Sequence, residues 1–123
     1  MKRIFLLVFA LALIFTVPVF AKDFSATCSV TGGSPQRLST ILVANGYTGD
    51  GAIMQLDLLT ICNPSANANH LYVGQSNVSS TNGYDLAPGV CNTWPPGTRF
   101  TDASQVYLWT ATTQSEMISL RSR

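Results

Sequence analysis

Ionisable side chains are scarce in this chain, and their scarcity limits the chemistry it can perform. Of 123 residues only 11% are charged, His70 is the single histidine, and no lysine follows Lys22. A phosphate-binding loop needs a helix start and usually a lysine next to Ser or Thr. The glycine-rich segments 32–34 and 46–51 are therefore predicted to be turns and not phosphate sites.

Groupings that would support catalysis are also missing from the sequence. A metal site at His70 would have to recruit Asp85, Asp102 or Glu116, and nothing in their spacing favours that arrangement. The sequence contains no Gly-x-Ser-x-Gly motif, which would expose a nucleophilic serine on a tight turn. We therefore predict a protein that is not an enzyme, with no catalytic residue, no cofactor and no metal. His70 itself is predicted to lie at a solvated strand edge.

The N-terminus has the pattern of a secretory signal. Lys2 and Arg3 precede an apolar run over 4–20, and small residues stand at Val19 and Ala21. We predict a signal peptide over 1–21, cleaved after Ala21, and a single exported domain over 22–123, in the periplasm or on a cell or virion surface. The alternative is an uncleaved membrane anchor, because this run of 17 residues lies at the lower edge of the length that spans a bilayer.

The predicted mature domain is nearly neutral. Removal of the signal leaves five basic against six acidic side chains, a net charge of about −1. Such a surface has no basic stripe for nucleic acid, so no nucleic-acid partner is expected. Contact with a membrane is expected only through the N-terminal segment, if that segment is retained.

Three cysteines occur in the exported part, which predicts one disulfide and one remaining thiol. Cys28, Cys62 and Cys91 form no Cys-x-x-Cys unit, so a zinc site is not expected. If the strand that ends at Cys62 runs antiparallel to a strand that begins near Gly89, Cys62 lies beside Cys91. We therefore predict a Cys62–Cys91 disulfide, and Cys28 is then either a buried thiol or a link between subunits.

The exported part alternates short apolar runs with turn residues and shows no long helical periodicity, which predicts an all-β fold. The predicted strands are 25–30, 36–43, 52–62, 70–74, 89–94, 105–110 and 116–120. The last two are predicted to form a hairpin through 111–115. About seven strands at this spacing predict a small antiparallel β-sandwich, immunoglobulin-like or jelly-roll-like, with a small barrel as the alternative.

Two strands carry further information. In the run over 52–62 the alternation slips, so either both faces are covered or a bulge at Leu58-Leu59 resets the phase. In the strand 105–110, Tyr107 and Trp109 share one face while bulky residues also occupy the other. Such a strand is either central in its sheet or at a subunit interface, where Tyr and Trp are enriched. Tyr107 and Trp109 are therefore the candidate interface residues.

An ordered series of segments resembles the small β-sandwich domains of tailed-bacteriophage virion accessory proteins, of the head-decoration or head-fibre type. The series comprises Leu59-Thr60-Ile61-Cys62-Asn63, Asn69-His70-Leu71-Tyr72-Val73-Gly74, Ser76-Asn77-Val78-Ser79, Asn82-Gly83-Tyr84, Leu86-Ala87-Pro88-Gly89 and Val106-Tyr107. The resemblance implies a non-enzymatic structural protein of a bacteriophage particle, with other virion proteins or a second copy of itself as partners.

The signal pattern and the cysteines depart from that family, whose members assemble in the cytoplasm. These departures fit a bacterial or prophage-derived surface protein, or a component of a phage that assembles at a membrane. The alternative expectation is therefore an exported envelope or surface-binding protein that presents loops to a carbohydrate or protein ligand.

Overall fold

The computed structural model describes residues 22–47, 56–95, 100 and 102–122. The predicted signal peptide, 1–21, lies outside the described residues, as do the first part of the predicted strand 52–62 and most of the Pro-Pro-Gly turn after Trp94.

The described chain contains eight strands, one α-helix and one short 3-10 helix. In chain order they are β1 (Lys22–Val30), β2 (Gln36–Arg37), α1 (Leu38–Ala44), β3 (Leu56–Cys62), β4 (Leu71–Gly74), β5 (Tyr84–Leu86), β6 (Cys91–Trp94), the 3-10 helix (Ala103–Gln105), β7 (Tyr107–Thr110) and β8 (Gln114–Ser122).

The strands form two antiparallel sheets of four strands each. The first sheet has the order β1-β8-β3-β6 and the second has the order β2-β7-β4-β5. Alternate residues of both sheets point inward, as expected when two sheets pack face to face. The predicted all-β sandwich is therefore confirmed.

One hydrophobic core lies between the sheets. Its fully buried side chains come from the inward positions of both sheets and from α1, and they include Val30, Leu38, Leu42, Leu59, Ile61, Leu71, Val73, Leu86, Val106, Leu108 and Ile118. Burying a Val, Leu or Ile side chain contributes about 1.5–3 kcal/mol relative to leaving it exposed. This set therefore supplies the main drive for folding.

The predicted strand 36–43 is wrong, because only Gln36–Arg37 is extended and Leu38–Ala44 is helical. Leu38, Ile41 and Leu42 stand at helical spacing and are buried, whereas Val43 is 61% exposed. Gly46 follows the helix with φ 89°, a conformation that favours glycine after a helix C-terminus. The helix packs against β1, β2 and the 3-10 helix, at one lateral edge of the sandwich.

The slip in alternation along β3 comes from a bulge. The pairing of β3 with β8 shifts register between Leu56 and Leu58, one step earlier than the predicted Leu58-Leu59 position. As a result Leu56, Leu59 and Ile61 are all buried while Leu58 is exposed. One extra residue lets a strand with an uneven apolar pattern direct most of its large side chains into the core.

The predicted final hairpin is also wrong. β7 and β8 belong to different sheets, and β8 pairs with β1 and β3 instead. The connection between them crosses from the second sheet to the first and packs against Gly32, where a Cβ would lie 2.3 Å from the Thr112 backbone. Gly33 N donates to Thr110 O at 2.8 Å, which fixes the start of this crossing.

The remaining strands differ from their predicted bounds by a few residues. β1 begins at Lys22, β4 at Leu71, β6 at Cys91 and β7 at Tyr107, and β8 extends over Gln114–Ser122. The prediction contained no strand for β5, three residues that form the edge of the second sheet.

Candidate functional site

The outer surface of the second sheet carries a group of aromatic side chains. Alternation along β4 and β7 buries Leu71, Val73, Leu108 and Thr110 and turns the intervening residues outward. We define the aromatic face as His70, Tyr72, Tyr107 and Trp109. His70 immediately precedes β4 and is exposed, and the other three are half-buried.

Three of the four rings of the aromatic face, those of His70, Tyr72 and Trp109, contact one another laterally. Tyr72 is the register partner of Trp109, and their ring centroids lie 5.7 Å apart at an interplanar angle of 56°. His70 stacks near-parallel to Tyr72 at 6.2 Å and 21°. Pairs at these separations contribute about 0.5–1.5 kcal/mol beyond area burial. The face is thus held in place before any partner arrives.

Charged groups stand at both ends of the aromatic face. At one end Arg37 Nε donates to Tyr107 Oη at 2.9 Å, and its guanidinium lies 5.5 Å from the Tyr107 ring centroid. At the other end His70 Nδ1 lies 2.7 Å from Asp85 Oδ1, and both side chains are about half exposed. The surface therefore combines apolar contact area with oriented polar groups.

The Ser-Asn-rich loop that joins β4 to β5 is ordered and covers part of the same sheet. Val78 is buried, and a Cβ at Gly74 or Gly83 would lie 2.9 Å or 2.8 Å from its Cγ2 atom. Asn82 Oδ1 accepts from Ser79 N at 2.7 Å, which closes the turn. The loop consequently borders the aromatic face as a fixed wall.

A second feature, at one end of the core, is a buried polar cluster around Glu116. Glu116 is fully buried, and its Oε1 accepts from Gln114 Nε2 at 2.5 Å and from Asn67 Nδ2 at 3.4 Å. Asn67 also donates to Asn63, whose own amide donates to Leu86 O at 2.8 Å. The cluster thereby ties β8 and the end of β3 to the second sheet.

The cluster is incompletely satisfied. Among the described residues, Glu116 Oε2, Gln114 Oε1 and Thr110 Oγ1 are buried without a hydrogen-bond partner. Desolvation by burial raises the pKa of Glu116 from its ordinary value of 4.5 to about 7, and the Gln114 hydrogen bond opposes that rise. Its register partner on β1 is Cys28, and burial raises the pKa of that thiol as well.

The cysteines are arranged as the sequence predicts. Cys62 and Cys91 are register partners in the β3–β6 pair and form a disulfide, with their Cα atoms 3.9 Å apart. Cys28 is a free thiol and fully buried, which fits the buried alternative for this residue. A disulfide is compatible with an oxidising compartment.

The candidate interface residues Tyr107 and Trp109 lie on the same surface, and β7 is an inner strand with β2 and β4 as neighbours. The sequence did not single out Tyr72 or Arg37. Tyr72 could have been found from the alternation of polar and aromatic residues around it. No local sequence signal indicates Arg37. The burial of Glu116 was missed because it depends on a strand crossing that the sequence does not specify.

Within the described part of the chain, no group of three or more His, Cys, Asp or Glu residues is placed to hold a metal ion. None of the helices in that part is long and apolar enough to cross a membrane.

The fold and these surfaces define a small antiparallel β-sandwich domain with one intramolecular disulfide. Comparison with family models, curated proteins and solved structures found no match to the chain.

Proposed function

We propose that this chain is a non-enzymatic structural or accessory domain that docks on a larger assembly or self-associates through its aromatic face. The observation that carries the proposal is the alignment of Tyr72, Tyr107 and Trp109 on one outer sheet surface. The setting that the sequence resemblance suggests is a bacteriophage-type particle. The partners are then other virion proteins or a second copy of the chain.

Interface energetics support the choice of this surface. Tyr, Trp and Arg are the residue types that most often carry binding energy in protein contacts. Removing about 60 Å² of apolar area from water at each of three such side chains contributes about 4.5 kcal/mol before the costs of association. Because the rings already support one another, little side-chain freedom remains to be lost on docking.

A second candidate is an exported envelope or surface-binding protein that presents loops to a carbohydrate or protein ligand. The observation that favours it is the ordered Ser-Asn-rich loop, which Asn82 closes by donating to Asn77 O at 2.9 Å as well as accepting from Ser79 N. A loop with fixed, exposed amides and hydroxyls beside aromatic rings has the polar and apolar groups that sugar recognition requires.

Export is part of the proposal in either case. The apolar N-terminal run and the Cys62–Cys91 disulfide support it, because disulfides persist mainly outside the cytoplasm.

Sedimentation velocity measures self-association of the mature domain. Protein concentrations of about 5 to 500 μM cover micromolar to sub-millimolar dissociation constants. Trp109→Ala is expected to reduce self-association, whereas Met117→Ala, on the exposed outer surface of the first sheet, leaves it unchanged. For docking, mass spectrometry of purified particles and envelope fractions locates the chain. A chain that is monomeric throughout and present only as free periplasmic protein overturns the proposal.

A further inference from the structure

A groove of about 560 Å³ lies at the lateral edge of the sandwich that α1 closes. Its walls come from the end of β1, from β2 and from one side of α1. They include Arg37 and the hydroxyl residues Ser29, Thr31 and Thr40, beside the apolar residues Pro35, Ile41 and Ala44. The volume falls within the range of small-molecule sites in proteins, about 300–1,000 Å³.

Arg37 is oriented in this groove by its neighbour Tyr107. The 2.9 Å bond from Nε to Tyr107 Oη and the position of the guanidinium over the Tyr107 ring fix one side of the side chain. The terminal Nη1 and Nη2 atoms make no hydrogen bond to the described residues. When Nε of a guanidinium is already hydrogen-bonded, the two terminal nitrogens remain as donors. Their end-on arrangement matches the two oxygens of a carboxylate.

The groove lacks a compensating negative charge among the described residues. Arg121 of the first sheet, in contrast, pairs with Asp23 Oδ1 at 2.9 Å, and Asp85 pairs with His70. Among the described residues no acidic side chain lines the groove, and no carboxylate pairs with Arg37. A single oriented cation with hydroxyl groups nearby is electrostatically complementary to a small anion.

We propose that this groove binds a small ligand through its carboxylate group, with Arg37 as the bidentate donor and Tyr107 as the residue that positions it. The hydroxyls of Ser29, Thr31 and Thr40 then hydrogen-bond the rest of the ligand. A carboxylate reaches this site either on an acidic sugar or at the C-terminus of a peptide. The inference goes beyond docking through the aromatic face, because the groove lies at the edge of the sheet.

The test is NMR titration of the ¹⁵N-labelled mature domain, disulfide intact, with glucuronate and with the dipeptide N-acetyl-Gly-Ala. Glucose and the amidated dipeptide are the matched neutral probes. At least one carboxylate probe is expected to bind with a dissociation constant of about 1–10 mM, with shifts confined to residues around the groove. The probe that binds more tightly identifies the source of the carboxylate.

Variants distinguish specific binding at Arg37 from nonspecific electrostatic attraction of an anion to the domain. Arg37→Gln is expected to weaken binding at least about tenfold, and Tyr107→Phe about threefold with the positive charge retained. Arg121→Gln removes an equal charge from the other sheet and is expected to leave binding unchanged. Arg37 is exposed, so its substitution leaves the fold intact, which the ¹⁵N spectrum verifies.

Three results overturn the inference: no binding of either carboxylate up to about 100 mM, far above the range expected of a specific site; equal binding of glucose; or undiminished binding by Arg37→Gln. The aromatic face is assessed separately through Trp109→Ala, which leaves the groove residues in place. Failure of one proposal is therefore distinguishable from failure of the other.

Discussion

The buried carboxyl of Glu116 makes the stability of the domain dependent on pH, with a sign that is unusual for an acidic residue. Burial raises the pKa of Glu116 in the folded state to about 7, against an ordinary 4.5. Protons are therefore bound more tightly by the folded chain than by the unfolded chain. The resulting stabilisation is fully present below pH 4.5 and is lost as pH rises towards 7.

The magnitude follows from the two pKa values. Raising the pKa from 4.5 to about 7 corresponds to about 3 kcal/mol at full linkage. About 2–3 kcal/mol of this lies between pH 5 and pH 8. Local opening at the end of the sandwich hydrates the carboxylate and relieves part of that cost, so we expect a loss of about 2 kcal/mol.

Glu116→Gln tests this value with little change in shape. A Gln side chain retains the oxygen that accepts from Gln114 and places a neutral amide where the unpartnered Oε2 lies. The variant should match the parent at pH 5 and be about 2 kcal/mol more stable at pH 8. Urea unfolding measures this as a difference of roughly 1–2 M in midpoint.

Both proteins in this comparison carry His70→Gln, so that the single histidine does not contribute to the pH dependence. Equal urea midpoints of the parent at pH 5 and pH 8 refute the reasoning, as does a Glu116→Gln variant that retains the full slope.

Three further predictions concern the fold. Replacing Cys62 and Cys91 together by Ser should lower the unfolding free energy by about 3.6 kcal/mol, the entropy of closing a loop with a separation of 29 residues; urea midpoints measure it, and a loss below 1 kcal/mol contradicts it. Ile41→Ala should lower the unfolding free energy by about 2–5 kcal/mol and Val43→Ala by under about 0.5 kcal/mol. The helix buries Ile41 and exposes Val43, whereas in a strand the two would share one face. Equal costs would therefore support the predicted strand. Gly83→Ala should cost about 1–3 kcal/mol, because its Cβ would lie 2.7 Å from Tyr72 Cβ; a neutral thermal midpoint would show that the loop does not pack as described.

Each of these comparisons has a matched control in the chain. Ser80→Ala lies in the same loop as Gly83 but is exposed, and it should change the unfolding free energy by less than about 0.5 kcal/mol. Cys28→Ser in the disulfide experiment gives an upper limit for the cost of a Cys-to-Ser exchange without loss of a bridge, because Cys28 is fully buried whereas Cys62 is half-buried and Cys91 is exposed.

The sandwich was predictable from local information, and the disulfide was predictable from one assumed antiparallel strand pairing. Turn residues at short intervals define the strands, and the antiparallel pairing of β3 with β6 places Cys62 opposite Cys91. The alternation likewise predicted that Tyr107 and Trp109 share one face, and the structure shows that this face is the outer one.

The helix and the strand crossing were not predictable by the same means. Leu38, Ile41 and Leu42 have helical spacing, but the run also contains the β-branched residues that favour strands. So short an apolar pattern does not distinguish a helix from a strand. The packing of this segment at the edge of the sandwich decides between them. The connection from β7 to β8 crosses between the sheets and packs against Gly32, which is distant in sequence, so local pattern does not reveal the crossing.

The candidate surfaces depend even more on tertiary structure. Arg37 and Tyr107 are 70 residues apart in sequence, and only the β2–β7 pairing brings them together. Glu116 is buried because β8 is an inner strand of its sheet and because Asn67 reaches it from a distant loop. No short sequence motif encodes either arrangement.

The most direct test of the proposed docking role is fractionation of cells and particles in which the chain carries Tyr107→Ala and Trp109→Ala, with Met117→Ala as the control. We expect the parent and the control to co-purify in constant proportion with a particle or envelope assembly, or as a self-associated complex, and the double variant to be released as folded monomer. Parent protein found only as free monomer, or a double variant that still co-purifies in the same proportion, would contradict it.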